Sequence, residues 1–485
     1  MSDFAEAVFA ENPELPVVRG DMSDSWVHGV MSNPQATRTA RRVRPLMPLL
    51  ETLHTQEKEW GIMPYEIDED LAYIYDKSLM YGEHTWGLAN QHFVPGLTGK
   101  DWYKMYVTGL DPAYARMKES WKEHIGYIED AEQALRPELE NELATLAENV
   151  AREGFRFVVY NPLPWERGGM VNFVLPSQGS IKEAYVKEVG TGRIYDLKVY
   201  GADSKRLGTF FTEGIPANGY KTYILTDESP AQVENSLKGE EQANYIENKW
   251  YKVSFDKKKG CIRSIWDKTN KRELVDDQSE NGFGSYVYER YDKEQSYRYL
   301  KEYIYDKYKN SHYQITGKST YLDERTKGIH ESPRNMEFHV ENHKSSIRGV
   351  LTPSASVGEE KHTAGLTVTL YENMPCIDVK LSVINKPATE EPEAGWIALP
   401  FKTKSPEYRV GRIGSVVDPA KDLIEGSQFN YIWSNSGIMI KDKEYSVGVC
   451  PIDAPAFVLG DLDFMHYADT YENPRSHVYF NLSLI

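Results

Sequence analysis

The hydrophobic period of this 485-residue chain changes once, near Phe155, and that change constrains its fold more than any single motif. Before it, apolar residues return every three or four positions, the spacing of an amphipathic helix. After it they alternate, as in strands buried on one face. A chain helical over its first third and β thereafter is a multidomain α+β protein, with helices and sheets segregated along the sequence.

The helical third has its own order. A short helix carries Phe4, Ala5, Val8 and Phe9 on one face. A strand-like run, Leu15-Pro16-Val17-Val18, follows and ends in Arg19-Gly20-Asp21. A helix, a buried strand and a charge at the strand's carboxyl end read as the last part of an α/β repeat, where barrel enzymes place catalytic side chains. One such strand has nothing to pair with, so residues 1–30 are expected to be the end of an α/β barrel.

Residues 31–153 read as a three-helix bundle. Ser32-Asn33-Pro34 opens the first helix with a cap and a first-turn proline, and Pro45 and Pro48 predict a kink or restart. The second helix spans about Asp68 to Tyr81. The third starts at Asp111-Pro112, buries Tyr114, Met117, Trp121, Ile125, Ile128, Leu135, Leu139, Leu143, Leu146 and Val150, and is closed by Gly154. Residues 154–228 form a small β-domain. After the polar stretch DESPAQVENSLKGEEQ, residues 241–485 show the short strands and turn signals of a large C-terminal β-sandwich.

Composition excludes several function classes. The net charge of −17 disfavours nucleic acid and anionic membrane surfaces as partners. No apolar run approaches the ~20 residues of a membrane span. The acidic N-terminus has no signal-peptide pattern, so the expected location is cytoplasmic. The three cysteines stand apart and show neither metal-ligand nor disulfide spacing. The 33 Tyr and 10 Trp suit β-sheet surfaces and also sugar-stacking subsites.

Two stretches carry chemistry. In YGEHTWG, His84 follows a helix end; a neutral imidazole there suits metal ligation with Glu83 orienting it, and equally suits capping or packing. In RGDMSDSW, Asp21 or Asp24 suits general-acid work, and Trp26 suits stacking on a sugar face, although a capping and a solvated aspartate would look the same. His339 and His343 have the spacing of a helical metal pair but lie in a strand-and-turn pattern, which disfavours that reading. SYVYERY, at 285–291, reads as a half-buried strand, and Lys257-Lys258-Lys259 as a solvated turn.

Taken together, PVVRGDMSDSWVHGVMSNPQATRTARRVRP and SLMYGEHTWG resemble glycoside hydrolase family 38, the α-mannosidase family, in its bacterial branch. WYKVSFDKKKGCIRSIWDKTNKRELVD and GFGSYVYERY are similar to the start of that family's C-terminal sandwich. The resemblance implies zinc-dependent, retaining hydrolysis of α-mannosidic or related α-glycosidic bonds. It implies that His84 is a zinc ligand, that Asp21 is the general acid with Asp24 as fallback, and that Trp26 and Trp86 bind the carbohydrate substrate. The family's His-x-Asp zinc motif occurs nowhere in this sequence, and no nucleophile can be assigned. The expectation is therefore a truncated chain, inactive alone, whose partners are a complementing barrel polypeptide or further copies of itself. The rival is a carbohydrate-binding or scaffolding β-sandwich protein without chemistry.

Overall fold

The computed structural model describes residues 2–11, 14, 17–23, 25–84, 104–105, 107–152, 154–175, 185–201, 206–230, 236–303, 327–343, 345–354, 356–357, 361–389, 391–472 and 474–484. It begins with helix α1 (Ser2–Glu11) and a 3-10 segment (Ser25–Ser32). Four helices follow: α2 (Pro34–Val43), α3 (Leu46–Glu59), α4 (Asp68–Tyr81) and α5 (Pro112–Asn149). From Phe157 onward the chain is mostly strands.

Local chemistry accounts for the helix ends. The Asn33 side chain accepts the Ala36 N–H at 3.1 Å, and Pro34 fills the first helical turn. Arg44-Pro45 then breaks the run, and α3 restarts at Leu46 with Pro48 tolerated in its first turn. Asp111 caps α5 through the Ala113 N–H at 2.8 Å. The four helices share a core of Ala36, Ala40, Val43, Met47, Leu50, Ile67, Ile74, Tyr81, Ile128, Ala131 and Leu135.

Three expectations need correction here. The buried face of α5 departs from its apolar pattern: Leu143 is exposed, and Glu142 is buried in its place. Leu135, Glu142 and Leu146 lie seven and four residues apart, on one helical stripe, and Glu142 meets His54 of α3. Helix α5 ends at Asn149, so Gly154 lies beyond its C-cap. The expected buried strand before Asp21 is not formed at its described residues, where Val17 and Val18 are 80% and 60% exposed; Leu15 and Pro16 lie outside the described residues. Among the described residues this segment meets the β region at Asp21, through one isolated bridge, and at Ser23, whose carbonyl accepts the Gln428 N–H at 3.0 Å; α1 buries none of its residues.

The first β region is two-layered. A four-stranded sheet (order Phe157–Asn161, Gly219–Thr226, Tyr185–Glu188, Ile194–Asp196) faces a three-stranded one (Arg167–Val174, Leu207–Ile215, Lys198–Tyr200). Phe157 stacks on Phe173 at 4.1 Å across the layers.

The second β region holds one five-stranded sheet, one six-stranded sheet and two four-stranded sheets around a large apolar core. In the six-stranded sheet the order is Ile329–Glu331, Tyr286–Arg290, Glu393–Pro400, His477–Leu484, Ala456–Leu459, Tyr431–Trp433. The Tyr-rich strand is buried along its whole length instead of half-buried. One face of this sheet meets the main core. The other packs in a second aromatic cluster with Tyr291, Tyr299 and Phe464, and Met31 of the 3-10 segment joins the cluster.

Arg41 of α2 ties the helices to this β region. Its Nε, Nη1 and Nη2 donate to the main-chain carbonyls of Ile452, Ser434 and Pro451 at 3.0, 3.0 and 2.6 Å. Arg42 adds an exposed pair to Asp453. Arg41→Ala is expected to cost about 2–4 kcal/mol, because three carbonyls lose a charged donor at once. Arg41→Lys should recover less than half, since an ammonium cannot reproduce the planar fork. Hydrogen exchange at α2 and calorimetry would check this; an alanine variant as stable as the parent would refute the clamp.

Candidate functional site

Helix α4 delivers His84. Its last turn closes through Gly82 N–H to Leu79 O (2.8 Å) and Glu83 N–H to Met80 O (3.2 Å), so the chain leaves the helix at Glu83 and His84. That end is pinned from two sides. Arg44 donates from Nε to Ser78 Oγ at 3.1 Å and from Nη2 to Ser78 O at 3.0 Å, and Thr37 Oγ1 lies 3.2 Å from the Tyr81 hydroxyl.

The His84 imidazole is 73% exposed, with Nδ1 2.8 Å from Glu83 Oε1. This is the orienting contact that a ligating or proton-carrying histidine needs. Core packing falls instead to His54 and His124, both buried. His124 of α5 lies 5.1 Å from the Tyr81 ring. Burial lowers its pKa, while Glu83 pulls the other way. It is a residue that the sequence reading missed. Its signal was a histidine on the buried helical stripe, four residues before Ile128.

Asp21 is placed differently. Its carboxylate is held by the Arg412 guanidinium, with Nη2 3.0 Å from Oδ1 and Nε against Oδ2. The two side chains are 10% and 8% exposed. Asp21 also forms a parallel bridge with Leu423: its N–H donates to Asp422 O at 2.7 Å, and Ile424 N–H donates to Asp21 O at 3.0 Å. Gly20 makes this approach feasible. Its φ is +138°, and a Cβ there would lie 2.7 Å from Asp422 O.

The structure thus gives Asp21 an anchoring contact and His84 an exposed one. Of the other candidates, Asp24 and Trp86 lie outside the described residues, and only the main chain of Trp26 is described. A zinc ion requires about four ligands. Among the described residues no three His, Cys, Asp or Glu side chains converge to hold a metal ion. His84 with Glu83 does not by itself fit a zinc site. His339 lies on the strand Glu337–Asn342 and His343 in the turn after it, in line with the strand-and-turn reading. Among the described residues no helix is long and apolar enough to cross a membrane.

Residues 246–450, from the strand Tyr245–Glu247 to just past Ser446–Val449, match the profile of the glycosyl hydrolases family 38 C-terminal domain. This segment is similar to a glycosyl hydrolase family 38 C-terminal domain. A crystal structure of a glycosyl hydrolase family 38 protein from Enterococcus faecalis is similar to the chain as a whole, with a TM-score of 0.61 and 11% identity. At that identity the likeness speaks for the fold alone. The alignment covers 99% of this chain and 56% of the Enterococcus protein, so the chain spans little more than half of that relative's length. No curated protein sequence matches the chain. The matched residues contain the two downstream stretches, at 250–276 and 282–291, that resemble the family; RGDMSDSW and YGEHTWG lie outside them.

Proposed function

We propose that this chain serves a family 38 glycoside hydrolase that cleaves α-mannosidic or related α-glycosidic bonds. The observation that supports this best is the placement of His84: exposed, oriented by Glu83, on a chain whose residues 246–450 match the family's C-terminal domain. In this reading His84 serves the metal side of a sugar site, and zinc binding there belongs to the same proposal. The pairing of Asp21 with Arg412 favours an anchoring role for Asp21 and leaves the acid role to Asp24. Trp26 and Trp86 remain the proposed sugar-stacking residues.

The purified chain is expected to show no measurable hydrolysis of an aryl α-mannoside with zinc present, because a retaining hydrolase needs two facing carboxyl groups. Turnover by the chain alone that disappears in His84→Ala would overturn this division of labour. Supplied with a family 38 catalytic barrel, in one polypeptide or as a partner, the chain should support hydrolysis. There His84→Ala should cost about 100-fold or more, the scale of losing a metal-site residue.

A second reading, a carbohydrate-binding β-sandwich without chemistry, is favoured by one feature. The exposed Trp266 lies across the strand pair from Lys252, with Glu273 on its other side. Glycan binding lost in Trp266→Ala and unaffected in His84→Ala would favour it.

A further inference from the structure

Away from the candidate site, the helical region buries three titratable side chains together. His54 and Glu57 come from α3 and Glu142 from α5, and each is more than nine-tenths buried. His54 Nδ1 lies 2.9 Å from Glu142 Oε1. Glu142 Oε2 and His54 Nε2 are buried without a hydrogen-bond partner among the described residues, and the buried Glu57 carboxyl faces the Glu142 carboxyl, which favours its neutral form, and the Leu146 main chain, which opposes this more weakly. No Lys or Arg forms an ion pair with either carboxyl group among the described residues.

The groups facing this cluster add no positive charge. Glu138 of α5 acts on Glu142, and Asp70 of α4 acts on Glu138. From the adjoining sheet, Tyr160 donates to Gln56 at 2.6 Å and feels Glu57. Among the described residues, the only group here able to carry a positive charge is the His54 imidazole, and it faces Glu142. It can offset one carboxylate at most, so a second charge, on Glu57, would stand buried and unpaired. Glu57 keeps its proton.

We propose that Glu57, Glu142 and His54 form a proton-held latch that fastens α3 to α5 while Glu57 is neutral and loosens when its proton leaves. Burial first, and the Glu142 carboxylate second, push Glu57 up to about 9. In the unfolded chain Glu57 ionises in the ordinary carboxylate range. The folded chain therefore holds one more proton between those two values, and the latch weakens as pH rises through that window. Its contribution is complete below the ordinary carboxylate range and gone above about pH 9.

The test follows the amide exchange of α3 and α5 in the whole chain, corrected for intrinsic rates. The opening constant should rise about tenfold per pH unit between about pH 6 and 9, as one linked proton requires. Glu57→Gln keeps the shape and holds hydrogens permanently, so its opening constant should be flat over the same range. A flat parent, or a Glu57→Gln variant with the parent's slope, would overturn the proposal. Should the variant fail to fold, the parent decides alone. An infrared carboxylic acid C=O band is expected at neutral pH and should vanish in mild alkali; no such band at neutral pH would be equally fatal.

Discussion

Replacing Trp396 by alanine should remove about 3–5 kcal/mol from the second β region, the range for emptying a buried aromatic site. Trp396 lies in the strand Glu393–Pro400, where every residue is buried, and is itself fully enclosed. Its ring meets Phe464 at 5.4 Å and Tyr431 at 6.4 Å, the tilted and edge-on geometries that aromatic clusters favour. The indole lies on the sheet face away from the main core, so a cavity there could close only by moving the aromatic cluster against which it packs. In a unit of this size each kcal/mol moves the melting temperature by about 2–4 °C, giving a fall of roughly 6–20 °C by calorimetry. Trp396→Phe keeps a ring against Phe464 and should cost about half as much. An alanine variant losing under about 1 kcal/mol would show that the cluster collapses freely.

Arg412→Met should be comparably severe, but local. It strands the Asp21 carboxylate in a buried position, and removing one partner of such a pair costs about 3–5 kcal/mol. The segment 17–23 is held by this pair, the bridge to Leu423 and the Gln428 N–H to Ser23 O hydrogen bond, so it should detach before the sandwich unfolds. Exchange of the Asp21 and Ile424 amides should speed up by roughly two to four orders of magnitude, the factor equivalent to that energy. Asp21→Asn combined with Arg412→Met removes both charges and should restore most of the protection. Equal exchange in the parent and the single variant would sink the anchoring role. In a barrel-completed enzyme the same double variant separates the two readings of Asp21. An anchor tolerates it, whereas a general acid loses kcat however well the segment is docked.

What could be read from the sequence was what depends on near neighbours. Asn33-Pro34 and Asp111-Pro112 act within one turn, and the helices they open are where those signals put them. The change of period near Phe155 marks the real change from helices to sheets because each period is a local steric fact. What failed depended on distant partners. Nothing near Glu142 announces that His54 will take it into the core in place of Leu143. Nothing near SYVYERY shows that a second aromatic layer will cover its outer face. Asp21 looked like a free carboxylate because its partner lies 391 positions away. At the site, the helix end before His84 was visible in Gly82, and the Glu83 contact in simple adjacency. The family was legible twice, and the profile match rests on the downstream stretches within 246–450 instead of the chemistry-bearing motifs.

The strand His477–Leu484 lies between Glu393–Pro400 and Ala456–Leu459 at the middle of its sheet, although it comes last in the described fold. On a ribosome this sets an order of events. Asp21 emerges 391 residues before Arg412, and Arg41 emerges 411 residues before Ile452. At 5–20 residues per second those waits are roughly 20–80 s. Once made, the apolar strand Glu393–Pro400 offers an unpaired edge until His477–Leu484 inserts beside it. Closure of the sheet, seating of the segment at Asp21 and clamping of α2 thus each wait for residues made hundreds of positions later, and a ribosome stalled before residue 477 would hold an open, adhesive sheet.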